Sequence, residues 1–351
     1  MKSVLVFPAY DDNPFLSILL GSARSAGFRV RSVVALPDFV AEADELGPGD
    51  VIHMNWTAQV TQRPRTPWGA AQGIRRLLAA IDRAKARGAK LIWTLHNALA
   101  HDARNVQQDA RLGSELAARA DIIHVMNRAT ERLVTDYRLP PDRIRIIPHP
   151  SYSGAYDRPA DSRSQETARE LVGASRDRFA VLMLGHMKPY KGALDLIAAA
   201  ETSSRPLTLM LAGRGTTRDW RAIDAAIGDR LHAVVHRDYV NSDEVPLWFD
   251  AADVTVLPYR RILNSGSALL SATFGVPVVM PDEPSVLAEF GDEEWVVTYD
   301  RNDQVAGIRR VLNDASIDWA AKGRAALAFA DTVRPEVISD RFLALLRELS
   351  A

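Results

Sequence analysis

Lys188 and Lys191 stand close together in the stretch LMLGHMKPYKGALDLIAAA, residues 182–200, in a chain with only six lysines among 43 basic residues. An apolar run ends at Gly185, a short basic loop follows, and a helical pattern begins near Gly192. Ammonium groups at a helix start, where backbone N–H groups and the helix dipole point outward, mark a place for an anion. A solvated loop with two surface lysines has the same spacing, so both readings stand at this point. The stretch RILNSGSALLSATFGVPVV, residues 261–279, has a similar build. Asn264, Ser265, Gly266 and Ser267 precede an apolar helical pattern whose first N–H groups need acceptors. Gly266 lets a ligand approach the backbone closely, while Ser265 or Ser267 serves equally as a plain N-cap. Just upstream, VLPYRR sets Tyr259, Arg260 and Arg261 at the end of another apolar run, and Arg is a bidentate ligand for phosphate.

A second group of polar residues lies in the first half of the chain. LIWTLHNALAHD ends an apolar run with His96 and Asn97, and His101 and Asp102 follow. Two of the eight histidines within so short a span favour a functional role over a structural one. They do not read as a metal site, because a loop leaves their relative orientation unset and only one acid accompanies them. In FPAYDDNPFLSILL, Asn13 suits an N-cap with Pro14 at the first helical position. Asp11 and Asp12 are not needed for that and are candidate bases or sugar ligands. IHMNW ends an apolar run with His53, Asn55 and Trp56; an amide and an aromatic plane suit a sugar, and a buried Trp is an equal reading. His149, in PHPSY, follows the last apolar run of this half.

These residues need a scaffold that gathers loop ends. Apolar runs at 3–7, 29–34, 50–53, 90–95, 121–126 and 143–147 read as strands, alternating with helical patterns at 14–26, 70–87, 106–119 and 128–137. The runs are rich in Val and Ile without clean alternation, as strands covered on both faces are. Strand–helix alternation implies a doubly wound parallel sheet, which binds ligands beyond the C-terminal ends of its strands. Residues 148–165 are rich in Pro, Ser, Gly and Asp and read as a linker. A second alternation follows, with strands at 179–184, 207–212, 231–235, 254–257, 276–280 and 294–298 and helices at 192–202, 217–227, 242–251 and 267–274. Helices at 302–313, 317–330 and 335–349 close the chain. The division expected is 1–150, a linker at 151–165, a second domain at 166–330 and a C-terminal helical segment at 331–351 that crosses back to the first domain. A chain of 351 residues is long for a single core, which fits two α/β domains facing across a cleft.

Composition removes several classes. The net charge of -1 supplies no field for nucleic acid. The absence of cysteine excludes disulfides and thiolate metal sites and fits a reducing, cytoplasmic setting. The N-terminal apolar run is too short for a signal peptide, and none approaches a membrane span. FPAYDDNP offers no Gly-x-Gly-x-x-Gly, so a dinucleotide-dependent oxidoreductase is set aside.

Taken together, the stretches resemble glycosyltransferases of the GT-B fold, over almost the whole chain. GHMKPYKG is similar to the segment in that family that binds the donor diphosphate, and implies that role for Gly185, Lys188 and Lys191. LMLAGRG resembles the next strand with its terminal Gly213, and YVNSDEVPLWFDAADVTVLPY the segment that closes over the nucleotide base. SGSALLSATFGVPVV resembles the phosphate loop and helix, and WTLHN the strand that delivers a His near the transferred sugar. The resemblance implies donor contacts at Tyr259, Arg261, Asn264, Ser265, Gly266 and Ser267, and acceptor or sugar contacts at Asn13, Asn55, Trp56, Asn97, His101 and His149. One departure stands out. Many retaining members carry Glu-x₇-Glu across the phosphate helix, and, aligned on Gly275-Val276-Pro277, those positions here are Ile262 and Leu270. The Ser-Gly loop with Trp-Thr-x-His-Asn is similar to bacterial polysaccharide enzymes, including β-mannosyl enzymes that use GDP-mannose.

The implied reaction moves a hexose from a nucleotide-diphosphate sugar, GDP-mannose first and UDP-glucose second, to a saccharide or lipid-linked acceptor, with no cofactor and no metal. His96 is the first candidate base, with Asp11 and Asp12 behind it. Peripheral association with the inner face of a membrane through the N-terminal domain accompanies a lipid-linked acceptor. A nucleotide-sugar epimerase of the same shape, or a non-catalytic nucleotide-sugar binder, is the alternative.

Overall fold

The computed structural model describes residues 2–10, 13–99, 103–156 and 164–350. They form two compact units: Met1–Pro150 with Pro335–Ala351, and Ser151–Arg334. In the first unit, β1 (Ser3–Phe7), β2 (Arg29–Ser32), β3 (Val51–Met54), β4 (Lys90–Thr94), β5 (Ile122–Val125) and β6 (Ile144–Ile146) form one sheet in the order β2-β1-β3-β4-β5-β6, with every pair parallel. In the second, β7 (Phe179–Leu184), β8 (Leu207–Ala212), β9 (His232–His236), β10 (Val254–Val256), β11 (Val278–Pro281) and β12 (Val296–Tyr299) lie in the order β12-β11-β10-β7-β8-β9, again all parallel.

The central strands of both sheets are buried along nearly their whole length, which is why most of their residues are apolar on both faces. In the second unit Val181, Met183, Leu209 and Leu211 join one apolar cluster, while Ala180, Leu182, Met210 and Ala212 join the other. Successive residues of a strand point to opposite faces, so two helical layers each receive every second side chain.

The last helix, Pro335–Ser350, belongs to the first unit. It buries Ile338, Phe342 and Leu346 completely or nearly so. Ser339 Oγ donates to Leu19 O at 3.1 Å and accepts from Ser22 N–H at 2.8 Å. Lys2 Nζ donates to Ser350 O, which ties the helix end to the start of β1.

Several local readings change. The helical pattern at 14–26 is two helices, Phe15–Leu19 and Gly21–Ser25, because the backbone turns aside at Leu20 (φ -101°, ψ 6°). The N-cap position is Pro14 rather than Asn13; the Asn13 side chain still accepts Phe15 N–H at 3.0 Å. The pattern at 128–137 is helical only over Thr130–Leu133. Helices at Leu36–Ala43, Gln165–Val172 and Pro284–Phe290 have no counterpart in the sequence reading. Gln165–Val172 is held by Arg169, whose Nη2 meets Asp253 Oδ2 at 2.6 Å while that same oxygen accepts Ala180 N–H at 2.7 Å.

Candidate active site

In the second unit the chain leaves β7 toward β8 on one side of the sheet, while β10 lies on the other. Loops after β7 and β10 therefore diverge from neighbouring strand ends, the place where open α/β sheets form a ligand crevice. The sequence candidates 185–191 and 259–267 occupy these two loops. Arg260 N–H donates to Tyr190 O at 2.9 Å, and the rings of Tyr190 and Tyr259 meet edge to face at 6.3 Å. Lys191 Nζ lies 5.1 Å from the centre of the Tyr259 ring, within cation–π range. Tyr259 Oη bonds Ser267 Oγ at 3.1 Å. Lys188 and Arg261 are exposed at the same loops, and Asn264 is half-buried.

Two glycines permit this approach. Gly192 has φ +73°, and a Cβ there would meet Pro258 O at 2.2 Å. Gly213 has φ +139°, and its Cβ would fall 2.0 Å from Gly185 O. Side chains are excluded at both, so the strand ends close to backbone contact.

Ser265 is the N-cap of the helix Gly266–Thr273; its Oγ accepts Ala268 N–H at 3.1 Å. The capping role is thus occupied, and Gly266 and Ser267 form the first turn, whose N–H groups have no intrahelical partner. At the two positions where the family resemblance implied carboxylates, the structure has one apolar packing contact and one backbone contact. Leu270 packs on the cluster of Trp248, Phe249 and Val276, and Ile262 O accepts from Ser285 Oγ at 2.6 Å.

Three contributors went unread in the sequence. Asp195, in the first turn of the helix Ala193–Glu201, holds Arg260 through both carboxylate oxygens at 2.9–3.2 Å. Tyr190 supplies the carbonyl described above. Arg214 lies over the Tyr239 ring at 4.7 Å, and its carbonyl accepts Met187 N–H at 2.7 Å. An acid in the first turn after Lys-Gly was the one available signal.

In the first unit the structure brings Asn55, Trp56, His96 and His149 together around Phe15. Trp56 stacks on His96 with centroids 4.2 Å apart and planes at 18°. Phe15 meets His96 edge-on at 5.2 Å and His149 at 4.8 Å. Tyr10 reaches Trp56 at 5.5 Å. His96 Nε2 is 3.1 Å from Asn55 Oδ1. Asn97 follows, half-buried, and Asn13 lies at the start of the helix that carries Phe15. Asp11, Asp12 and His101 lie outside the described residues.

Beneath this layer runs a buried chain not read from the sequence. His124 Nε2 is 2.9 Å from Ile147 O, and since a carbonyl only accepts, that nitrogen carries the proton. His124 Nδ1 then accepts from Thr94 Oγ1 at 2.9 Å, and Thr94 Oγ1 accepts from His53 Nε2–H at 2.7 Å. The Phe342 ring covers His53 at 4.9 Å and His124 at 5.5 Å. Burial pushes the His53 imidazole down to about 3, and His124 and His149 to about 4. His96 is held well below its ordinary value by burial first, then by His124, His149 and His53. All four rings are neutral at pH 7, the form in which imidazole accepts a proton. Among the described residues no group of three His, Asp or Glu is placed to hold a metal ion.

Residues 178–314 match the family model described as Glycosyl transferases group 1. A protein of Xanthomonas campestris pv. campestris named GDP-mannose:glycolipid 4-beta-D-mannosyltransferase is 24% identical over 299 residues, 84% of this chain and 77% of that one. Sucrose-phosphate synthase from Thermosynechococcus elongatus superposes with a TM-score of 0.73 at 17% identity, over 99% of both chains. Anabaena HepE, solved in complex with UDP-glucose, superposes with a TM-score of 0.74 at 15% identity, over 99% of this chain and 100% of its own. The fold is GT-B, and the chain is a glycosyltransferase. The residues that match the group 1 model lie within its second unit. No helix among the described residues is long and apolar enough to cross a membrane.

Proposed function

We propose that the chain transfers a hexose from a nucleotide-diphosphate sugar to a hydroxyl of a saccharide or glycolipid acceptor, without a metal ion. The observation that carries this reading is the meeting of Lys191, Tyr259 and Ser267 at the strand ends of the second unit. Lys188, Lys191, Arg261 and the N–H groups of residues 265–267 would stabilise the negative charge that develops on the diphosphate as the sugar–phosphate bond breaks. That is the work a divalent cation does in other transferases. The acceptor hydroxyl attacks the anomeric carbon, the nucleoside diphosphate leaves, and His96 of the first unit takes the acceptor proton. With Ile262 and Leu270 in place of carboxylates, displacement with inversion is the favoured course.

GDP-mannose is the first donor to test, because of the Ser-Gly loop, Trp-Thr-x-His-Asn and the name of the Xanthomonas relative. UDP-glucose is second, as the ligand of HepE. A glycolipid acceptor is supported by Trp68, which is 70% exposed near the exposed Arg63 and Arg65, residue types suited to an anionic bilayer interface.

Calorimetric titration with GDP, UDP, ADP and TDP, followed by transfer assays with the matching labelled sugars, tests the reading. Tight binding of one diphosphate with sugar transfer to a lipid-linked saccharide supports it. Binding with no transfer to any acceptor supports the non-catalytic alternative, and interconversion of the free donor supports the epimerase.

A further inference from the structure

We propose that Tyr259 is a positioning residue that sets two groups of the donor site at once: its ring holds the Lys191 ammonium, and its hydroxyl orients Ser267. The inference deepens the proposed function and rests on its reading that the loops carrying Lys191 and Ser267 meet the donor diphosphate.

Tyr259 stands just beyond β10 and is 6% exposed. Its backbone N–H donates to Leu257 O at 2.8 Å. The next residue is fastened twice, by Arg260 N–H to Tyr190 O at 2.9 Å and by the Arg260 side chain to Asp195. The ring therefore leaves a backbone that is fixed on both sides.

Lys191 comes from the other loop. Gly192 lies so close to Pro258 that a Cβ would meet Pro258 O at 2.2 Å, and this brings the Lys191 backbone beside Tyr259. The lysine side chain then turns back along its own loop. Nζ lies over the Tyr259 ring at 5.1 Å, and a Cβ placed on Gly185 would be 3.0 Å from the same nitrogen. The ammonium is thus held between a buried aromatic face and the bare backbone at the end of β7. The negative face of the ring attracts a cation without bringing a formal charge, so the full charge of Lys191 is kept for an anion. A carboxylate in that place would hold the lysine and cancel its charge.

The hydroxyl does the second job. Tyr259 Oη donates to Ser267 Oγ at 3.1 Å. A phenol is more acidic than an aliphatic alcohol, so the tyrosine is the donor and Ser267 keeps its own hydrogen to give. Ser267 lies in the first turn of the helix Gly266–Thr273, where the backbone N–H groups also point outward. One side chain therefore sets the spacing between a cation of the loop after β7 and a hydroxyl of the helix after β10. Setting it in advance spares the donor the cost of ordering a long lysine side chain.

Each job has its own variant. The probe is whichever of GDP and UDP binds the full chain more tightly in calorimetry, with its nucleoside as control. Tyr259→Phe keeps the ring and loses the hydroxyl; it should weaken diphosphate binding by about 2- to 10-fold, and Ser267→Ala should then add the same loss or less than it causes alone, never a full second loss. A trifluorinated phenylalanine at position 259 keeps the shape of Phe but drains its negative face. It should weaken binding by about 2- to 10-fold more than Phe does, and this extra loss should vanish in a Lys191→Ala background. The nucleoside should bind every variant alike. Equal binding with Phe and its fluorinated form means a ring that only packs, and fully additive losses for Tyr259→Phe and Ser267→Ala mean a hydroxyl that acts apart from Ser267; either result overturns the inference. Should neither GDP nor UDP bind, the donor reading falls, and spectra of the ligand-free chain decide the hold on Lys191. Its methylene protons should be shifted upfield by the ring in wild type and Tyr259→Phe and return to ordinary values in Tyr259→Leu. A wild type without that shift overturns the inference.

Discussion

Acidification should unfold the first unit well before its carboxylates titrate. His53, His124 and His149 are buried, and their folded values lie at about 3, 4 and 4, against 6.5 for an exposed imidazole. The unfolded chain therefore binds protons below about pH 6.5 that the folded unit refuses. Stability is complete above that value and falls as pH drops, levelling off only near the folded values. Each such proton contributes about 1.4 kcal/mol per pH unit, so three give about 4 kcal/mol per unit. Lowering the pH from about 7 to about 5 then removes roughly 5–6 kcal/mol, comparable with the whole stability of many domains. Urea unfolding followed by circular dichroism at about pH 7, 6 and 5 measures the slope. A His124→Asn variant should have lower stability throughout and a slope smaller by about one proton, and the second effect is independent of the first. A wild-type slope below about one proton in this window would refute the claim that these rings are buried and neutral.

Three other outcomes are expected. Lys191→Ala should weaken nucleoside diphosphate binding by about 1–3 kcal/mol in calorimetry while leaving binding of the free nucleoside nearly unchanged; equal losses for both would remove the lysine from the phosphate site. Activity should persist in excess EDTA, and recovery only on adding Mn²⁺ or Mg²⁺ to a chelated sample would contradict the metal-independent reading. His96→Ala should lower kcat by about 10²–10⁴ with the melting temperature little changed, whereas a fall in melting temperature with activity following it would make His96 structural.

The two parallel sheets were legible in the chain because strands covered on both faces must be apolar throughout, and runs such as SVLVF and FAVLML carry that mark wherever they occur. The loops after β7 and β10 were legible for a related reason: lysines, glycines and serines at the ends of apolar runs fall at strand ends by sequence position alone. Short helices were harder. Gln165–Val172 begins at the edge of a Pro- and Ser-rich stretch, and its start depends on the Ser164 cap and the distant Arg169–Asp253 pair. The histidine chain had no sequence mark at all. His53 pairs in register with Ile92, two residues from Thr94 on the same face of β4, and Thr94 pairs with His124. These residues are 30 to 41 positions apart, and a lone His in an apolar strand reads as any core residue. Likewise His96 and Asn55 could each be named as candidates, but the bond between them crosses 41 residues. Alternation along a strand is a local property that every run displays, whereas the alignment of one strand with another is set by hydrogen bonding and packing across the sheet, and only the folded structure decides it.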